Sequence, residues 1–264
     1  LHGDNGSKFN LFGFNFQDLV DYENISKLKW NSNGIGSEFI LITGNSSGLG
    51  AGLTRMYNAG RFDRSNIRKH SSNHYSLIFH CAFERYLSNS PIDEYIDNAK
   101  NLAMNLMNIK TERFIFISTV DCNDDENKSA YVLAKREVEH LVRKNCQNYL
   151  ILRLPSLYGK EMKKNQILRI ATEKKPKLSL AKNSSFSLIS YEDVFNFIRN
   201  QKFSGTMSLA SDLIDLEEIS RVFGSDPVWG NHVYKTQLNG EYTELINKRI
   251  SLRKYVNFIA SNYE

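Results

Sequence analysis

Two residues at helical spacing could perform acid–base chemistry. Tyr131 and Lys135 are four positions apart within residues 131–144, whose pattern predicts a helix, so both side chains share one helix face. A phenol is a poor acid or base at neutral pH because its pKa is about 10. A cation within about 4–6 Å favours the phenolate and lowers that pKa. The pair predicts proton transfer by Tyr131, although ordinary surface helix pairs show the same spacing.

Two hydroxyl groups precede this helix in the sequence. Ser118 and Thr119 end the apolar run 113–119, which predicts a buried strand. In open α/β sheets, ligands bind beyond the carboxyl ends of the strands. A hydroxyl there can donate a hydrogen bond to a substrate oxygen on which negative charge develops. Ser118 and Thr119 are therefore candidates for binding the oxygen whose proton Tyr131 exchanges.

A glycine-rich turn near the start of the chain predicts a phosphate-binding loop. Residues 39–42 form a short apolar strand, and a potential helix follows the glycines. Gly44 permits a tight turn, Gly48 lets the backbone approach a pyrophosphate, and Gly50 lets the helix pack closely on the strand. The helix N-terminus would present free N–H groups to the phosphates. An ordinary glycine turn is the alternative. The predicted cofactor contacts are Gly44, Asn45, Ser46, Ser47, Gly48, Leu49 and Gly50.

A charged pair after this helix bears on the choice of cofactor. Asp63 lies 19 positions after Gly44, about where an acidic residue meets the adenosine ribose of a dinucleotide. Arg64 beside it could contact a 2′-phosphate. A solvated loop charge is an equal alternative. Arg61 and Phe62 are too short a run to be the strand that normally delivers such an aspartate. These residues leave the cofactor as NAD or NADP.

The remaining elements place these residues in one fold class. Further apolar strands are predicted at 76–82 and 149–154, and helices at 91–109 and 131–144. Strands that are apolar throughout and alternate with helices indicate a parallel sheet covered on both faces. The predicted fold is therefore α/β, a Rossmann-like doubly wound parallel sheet with a small C-terminal substrate-binding region.

Three regions are predicted along the chain. Residues 39–158 form the dinucleotide-binding core, and residues 159–264 form a smaller substrate-binding region. The latter opens with a lysine-rich segment, which could bind phosphates or could be a solvated face. Residues 1–38 form an N-terminal extension. Within it, residues 9–28 resemble a strand–helix unit that could complete the sheet with Asp18 near adenine, or could be an appendage.

Composition limits the classes of partner. The chain has 264 residues, of which 41% are hydrophobic and 24% charged, which suits one globular unit or a main domain with an appendage. A net charge of +5 favours small anionic ligands and is too mild to predict nucleic-acid binding. No apolar run approaches the roughly 18 residues of a membrane span. Three cysteines without metal-type spacing predict reduced thiols in a cytoplasmic protein, and no metal site is predicted.

Seven motifs in this order resemble the short-chain dehydrogenase/reductase family. The resemblance is closest to the extended branch, the NAD-dependent epimerases and dehydratases of nucleotide sugars, and it covers about residues 39–224. It rests on Thr43-Gly-Asn-Ser-Ser-Gly-Leu-Gly50, His80-Cys-Ala82, Tyr95-Ile-Asp-Asn98, Phe116-Ile-Ser-Thr119, Tyr131-x-x-x-Lys135, Arg153-Leu-Pro-Ser-Leu-Tyr-Gly159 and Ser187-Leu-Ile-Ser-Tyr-Glu-Asp193.

The resemblance implies a role for each candidate catalytic residue. Tyr131 would exchange the proton of the substrate hydroxyl or carbonyl. Lys135 would hold the nicotinamide ribose and lower the Tyr131 pKa. Thr119, in preference to Ser118, would orient the substrate oxygen. Asn98 would hold a proton-relay water. The resemblance also adds four cofactor contacts, which are Cys81, Ala82, Pro155 and Ser156.

Several departures from the family pattern concern the substrate and the adenine side. The loop has Gly-x-x-x-Gly-x-Gly spacing rather than the usual extended Gly-x-x-Gly-x-x-Gly. Residues 58–76 are too short by about one strand–helix unit. Residues 183–185, directly before Phe186, contain no Arg, although nucleotide-sugar members commonly place one there. Val120-Asp121 after Thr119 gives no support for a dehydratase.

The implied function is that of an NAD(P)-dependent oxidoreductase or epimerase acting on a sugar, and the resemblance favours a nucleotide-linked one. An NAD(P)-binding regulatory protein without turnover is the alternative. A homodimer through the helices at 92–109 and 131–144 is implied by the resemblance.

Overall fold

The computed structural model describes residues 40–62, 67–87, 90–160, 162–240 and 242–263. The chain divides into two units, Leu1–Ile35 and Gly36–Glu264, and every described residue belongs to the second. The predictions for the N-terminal extension, including residues 9–28 and Asp18, lie outside the described residues. So do those for Asp63 and Arg64.

Strands and helices alternate through the described residues. The strands are Ile40–Thr43 (β1), Gly60–Arg61 (β2), His74–Tyr75 (β3), Leu77–His80 (β4), Lys110–Thr111 (β5), Phe114–Thr119 (β6), Tyr149–Leu154 (β7), Ser156–Tyr158 (β8), Ser185–Phe186 (β9), Leu188–Ser190 (β10), Gly205–Ser211 (β11), Ile214–Asp215 (β12) and Thr243–Ile246 (β13). The α-helices are Gly48–Tyr57 (α1), Ile67–His70 (α2), Ile92–Met107 (α3), Ala130–Asn145 (α4), Gln166–Thr172 (α5), Tyr191–Asn200 (α6), Leu216–Phe223 (α7) and Lys248–Tyr263 (α8).

A seven-stranded parallel sheet, in the order β13-β11-β7-β6-β4-β1-β2, forms the centre of this unit. Its strands are apolar on both faces because helices cover both. Ile42 of β1 packs in one core cluster with Leu53 of α1. Its neighbour Leu41 packs in another with Leu106 of α3 and Val138 of α4. The predicted doubly wound α/β fold is confirmed.

The order of the strands reverses beside β1. The chain passes from β1 to β2 on one side and then returns to β4 on the other side. Ligand-binding crevices of such sheets form at this switch point, beyond the carboxyl ends of the strands. Arg61 belongs to the run that we predicted to be too short for a strand. Together with Gly60 it nevertheless pairs in parallel with Leu41 and Ile42. The sheet therefore extends by one short strand past β1.

Residues after Gly159 contribute in two ways. Strands β11 and β13 lengthen the central sheet, although they follow the predicted dinucleotide-binding core in sequence. Other residues surround a separate apolar cluster, in which the fully buried Tyr255 packs on Tyr158 with ring centroids 5.0 Å apart. Ile167 and Leu168 belong to this cluster, which therefore anchors the segment that follows β8.

Helix length and hydropathy argue against a membrane span within the described part of the chain, since none of its helices is both long and apolar enough to cross a bilayer. The same residues hold no group of three or more His, Cys, Asp or Glu side chains arranged to bind a metal ion.

Candidate active site

A cavity of about 840 Å³, called the crevice below, lies at the switch point of the sheet. It is bordered by the glycine loop after β1, the ends of β4 and β6, the first turns of α4, and residues 162–165. Most of the predicted site residues line it together: Gly44, Asn45, Ser46, Ser47, Gly48, Leu49, Gly50, Cys81, Ala82, Ser118, Thr119, Tyr131, Lys135 and Pro155.

The glycine loop requires its glycines for steric reasons. Gly44 has φ +73°, and a Cβ there would lie 2.9 Å from the Ala82 backbone nitrogen. Gly48 has φ +60°, a left-handed conformation that side chains disfavour. A Cβ on Gly50 would lie 2.3 Å from the Gly44 carbonyl oxygen. The path of the loop therefore requires glycine at Gly44 and Gly50 and favours it at Gly48.

The N-terminus of α1 borders the crevice without a competing anion. Ser47 at the N-cap makes no side-chain capping bond, and the first turn of α1 holds no acidic residue. The Asn45 amide donates to the Phe62 carbonyl at 3.1 Å, which ties the loop to the end of β2. An anion in the crevice would therefore meet backbone N–H groups and the positive end of the helix dipole.

Thr43 joins the ends of two strands beneath the loop. Its hydroxyl oxygen accepts hydrogen bonds from the backbone N–H groups of Cys81 (3.1 Å) and Ala82 (3.0 Å). The same hydroxyl lies 3.2 Å from Nδ1 of the buried His80. These bonds fix the crevice wall formed by residues 81–83 against the glycine loop.

Tyr131 lies in the first turn of α4, is 40% exposed and lines the crevice. Its ring meets Phe83 edge to face, with centroids 5.5 Å apart. Desolvation in the crevice, with a smaller contribution from the Cys122 and Asp121 side chains, raises the pKa of the Tyr131 phenol. Desolvation therefore sets the net direction of the shift. That Lys135 lowers the pKa of Tyr131 stays a prediction.

Lys135 is almost fully buried, with 3% of its surface exposed. Its Nζ donates to the Ile117 carbonyl at 2.7 Å. The ammonium also lies 3.9 Å from the ring centroid of Phe83, 4.8 Å from that of Phe116 and 5.6 Å from that of Tyr131. Burial lowers the pKa of Lys135 to about 7, so this amine can change its charge near neutral pH.

The two candidate hydroxyls have different partners. Ser118 Oγ donates to the buried Glu139 carboxylate at 2.6 Å and is committed to that bond. Thr119 Oγ1 accepts from the Asp121 backbone N–H at 3.3 Å, which leaves its own hydrogen for another acceptor. Both residues border the crevice. The geometry therefore favours Thr119 as the donor to a substrate oxygen.

An ionic cluster lies beneath Ser118 and consists of the buried Glu139, the partly buried Arg153 and the exposed Arg143. Arg153 donates to Glu139 through Nε (2.9 Å) and Nη2 (2.6 Å), and Arg143 donates through Nη2 (2.7 Å). Arg153 also donates to Asn123 at 2.6 Å. Burial alone would raise the Glu139 pKa, but the bonds and charge of Arg153 hold it below its usual value. Sequence reasoning missed Glu139, although it lies four positions after Lys135 on the same helix.

Tyr191, which lines the crevice, is a second residue that sequence reasoning missed. It is 7% exposed and lines the crevice from the start of α6. A Cβ on Gly52 would lie 2.9 Å from the Tyr191 ring, and one on Gly159 would lie 2.3 Å from it. Its hydroxyl lies 3.6 Å from the position of a Cβ on Gly48. Tyr191 thus fills a slot between glycines and links the glycine loop to the C-terminal region.

Two predicted site residues lie elsewhere among those described. Asn98 is exposed on α3 and lines a separate small cavity of about 20 Å³ with Ala82 and Phe83. Ser156 is half-buried in β8, where its backbone pairs with Leu188, and it is not part of the crevice lining.

No protein-family model and no curated protein sequence matches this chain. Solved structures do match. The UDP-N-acetylglucosamine 4-epimerase of Bacillus cereus aligns with a TM-score of 0.62 at 18% identity, over 85% of this chain and 97% of that one. The ADP-L-glycero-D-manno-heptose-6-epimerase of Helicobacter pylori aligns with a TM-score of 0.65 at 16% identity, over 84% of this chain and 96% of that one. MoeE5, solved with UDP-glucose and NAD, aligns with a TM-score of 0.63 at 15% identity, over 85% of this chain and 99% of that one. The chain shares the fold of these enzymes.

Proposed function

We propose that this protein is an NAD(P)-dependent enzyme of the extended short-chain dehydrogenase/reductase family that acts on a nucleotide-linked sugar. One observation carries the proposal. The glycine loop, Thr119 and the Tyr131–Lys135 pair come from three separate segments of the sequence and line one crevice. The similar solved structures include NAD-dependent nucleotide-sugar enzymes, which supports the same assignment.

The chemistry of the glycine loop fits a dinucleotide. The uncapped N-terminus of α1 offers backbone donors and a positive dipole end to a pyrophosphate. Gly44 and Gly50 hold the path of the loop against neighbouring backbone, and Gly48 keeps a side chain off the loop where phosphates would approach. A volume of about 840 Å³ lies within the range of sites for ligands of this size.

The reacting groups would act on a carbinol or carbonyl carbon of the sugar. A bound nicotinamide supplies a centre that accepts and returns a hydride. Thr119 would donate a hydrogen bond to the sugar oxygen, and Tyr131 would take up or return its proton. Lys135 would stabilise the phenolate and contact the ribose, for which its ammonium would turn from the Ile117 carbonyl.

Two lysines on the crevice wall suit a phosphate-bearing substrate. Lys163 and Lys164 are exposed and line the crevice, and Lys164 pairs with Glu173 at 2.8 Å. An exposed ion pair of this kind contributes little to stability, so it can open at small cost when an anion binds. We propose that these lysines take the place of the missing Arg before Phe186 and bind the diphosphate of the substrate.

Location and assembly follow the same resemblance. All three cysteines, Cys81, Cys122 and Cys146, are free thiols, which supports a cytoplasmic protein. Helices α3 and α4 pack against each other. We propose that they also form the contact of a homodimer.

Titration with NADH and with NADPH, followed by fluorescence, tests the cofactor assignment. We expect saturable binding of at least one of them. The NAD-loaded protein is then mixed with UDP-glucose, UDP-N-acetylglucosamine and UDP-glucuronic acid, and the sugars are followed by NMR. Conversion of any of the three supports the enzyme. Absence of dinucleotide binding contradicts the proposal as a whole.

One observation favours a second function, an NAD(P)-binding regulatory protein without turnover. The phenol of Tyr131 has a raised pKa, and the Lys135 ammonium is engaged by a backbone carbonyl. Both features disfavour the phenolate that catalysis needs. This alternative predicts tight dinucleotide binding with no change in any sugar nucleotide.

A further inference from the structure

Tyr191 is held in place at the start of α6. The preceding residue, Ser190, is the N-cap of this helix and forms a capping box with Asp193, in which each side chain accepts a hydrogen bond from the backbone N–H of the other residue. Lys254 of α8 donates to the same carboxylate. The backbone that carries Tyr191 is therefore fixed both by its own helix and by α8.

The Tyr191 ring has little room to turn. It occupies the space that a side chain at Gly52 or Gly159 would need, with a ring carbon atom 2.9 Å and 2.3 Å from the two Cβ positions. The ring belongs to the same core cluster as Leu49 and Leu53 of α1, and only 7% of Tyr191 is exposed. Packing therefore determines where the hydroxyl lies.

The hydroxyl of Tyr191 lies beside the glycine loop. Its oxygen is 3.6 Å from the position of a Cβ on Gly48, and both residues line the crevice. Gly48 is the first residue of α1, and the first backbone N–H groups of a helix have no acceptor within the helix. A phosphate group that accepts hydrogen bonds from these N–H groups would therefore also be within reach of the phenol.

We infer, on the basis of the proposed function, that Tyr191 is a further cofactor-binding residue, whose phenol donates a hydrogen bond to the diphosphate of the bound dinucleotide. A diphosphate offers only acceptor oxygens, and a hydrogen bond to a charged oxygen is stronger than one between neutral groups. Tyr191 would add one side-chain donor to a phosphate site that the backbone otherwise forms. Because α6 follows residues 39–158 in sequence, the C-terminal region would then contribute to the cofactor site as well.

Calorimetric titration of Tyr191→Phe tests the inference, since this variant loses the hydroxyl and keeps the ring that fills the slot. The titrants are NADH, NADPH and ADP-ribose, which all carry the diphosphate. We expect the variant to bind each titrant that the wild type binds about tenfold more weakly. Tyr255→Phe is the matched control. Tyr255 is fully buried and does not line the crevice, and its hydroxyl has no hydrogen-bond partner among the described residues. This control should bind as the wild type does.

Two NMR measurements distinguish a direct contact from a disturbed crevice. With the dinucleotide bound at saturation, the ³¹P signal of at least one phosphorus atom should differ between the wild type and Tyr191→Phe, and both signals should be unchanged in Tyr255→Phe. Without ligand, the pKa of Lys135 can be read from its labelled side-chain carbon. That pKa should be the same in all three proteins, because the Ile117 carbonyl and the Phe83 ring that contact the ammonium are unaltered.

The outcomes separate this role from the proposed function. Equal affinities and equal ³¹P signals in the wild type and Tyr191→Phe overturn the role of Tyr191 and leave the proposed function intact. A shifted Lys135 pKa in Tyr191→Phe also overturns the role, because weaker binding would then come from a rearranged crevice. Weaker binding by Tyr191→Phe, with no sugar nucleotide converted by the wild type, supports the role and contradicts the enzyme. Absence of binding of all three titrants to the wild type contradicts both.

Discussion

The two ends of the crevice are built by different means. At the glycine loop, the backbone itself makes the site, and the first turn of α1 has neither a side-chain cap nor an acidic residue. At the other end, the site depends on buried side chains. Lys135 lies under aromatic rings, and Glu139 lies between two arginines. The loop is therefore suited to binding, whereas the other end holds charges in positions that are costly to desolvate.

This difference predicts that the two ends respond differently to mutation, and Tyr131→Phe should show the largest effect. Removal of the phenol hydroxyl removes the proton-transfer group, so kcat should fall by roughly 10²–10⁴-fold. The affinity for NADH should change little, because the glycine loop is unaltered. Steady-state kinetics and fluorescence titration measure the two quantities. Tyr242→Phe, at a residue that is 53% exposed, is the matched control. Equal activity of the Tyr131 variant would exclude the proposed mechanism.

Glu139→Gln tests whether the reacting end depends on its buried charges. The substitution leaves the partly buried Arg153 without its counter-charge, and breaking a buried ion pair costs about 3–5 kcal/mol of stability. The pair with the exposed Arg143 contributes little, because solvent screens it. The contribution of Glu139 also depends on pH. Because its pKa is lowered in the fold, its stabilisation is present above the unfolded pKa of about 4.3 and is lost as pH falls through the folded value.

Urea unfolding at pH 7 and below pH 4 measures this contribution. The wild type should lose much of its advantage over Glu139→Gln at the lower pH. Glu137→Gln, at an exposed position on the same helix, is the control and should be nearly neutral. A Glu139 variant as stable as the wild type at pH 7 would show that the cluster contributes no net stability.

The same difference explains how much of the site could be predicted from the sequence. Gly44, Gly48 and Gly50 lie close together in the sequence, so their spacing is visible there. A side chain on Gly50 would clash with the Gly44 backbone, and one on Gly44 would clash with the backbone that follows β4. Tyr131 and Lys135 are one helical turn apart, so their pairing is also visible in the sequence. The parallel sheet follows from apolar strands that alternate with helices.

Residues whose role depends on distant contacts could not be found in this way. Nothing in the pattern around Phe83 shows that its ring will lie over Lys135, because β6 and α4 come later in the chain. Tyr191 reaches the glycine loop only because Gly52 and Gly159 leave a slot for its ring. The short strand β2 was missed because two residues show no periodicity, and it exists because β1 offers an open edge.

Gly50→Ala should produce the smallest of these effects on function and should act through cofactor binding rather than through proton transfer. The added Cβ would lie 2.3 Å from the Gly44 carbonyl oxygen, so the loop must shift away from the path that faces the phosphates. We expect the affinity for NADH to fall about tenfold, or about 1.4 kcal/mol, while the pKa of Lys135 stays unchanged. Gly224→Ala is the control, since a Cβ there meets nothing within 4 Å and its strained backbone affects stability only. If Gly50→Ala weakens NADH binding and also shifts the Lys135 pKa, the two ends of the crevice are coupled. The distinction between a binding end formed by backbone and a reacting end formed by side chains would then be wrong.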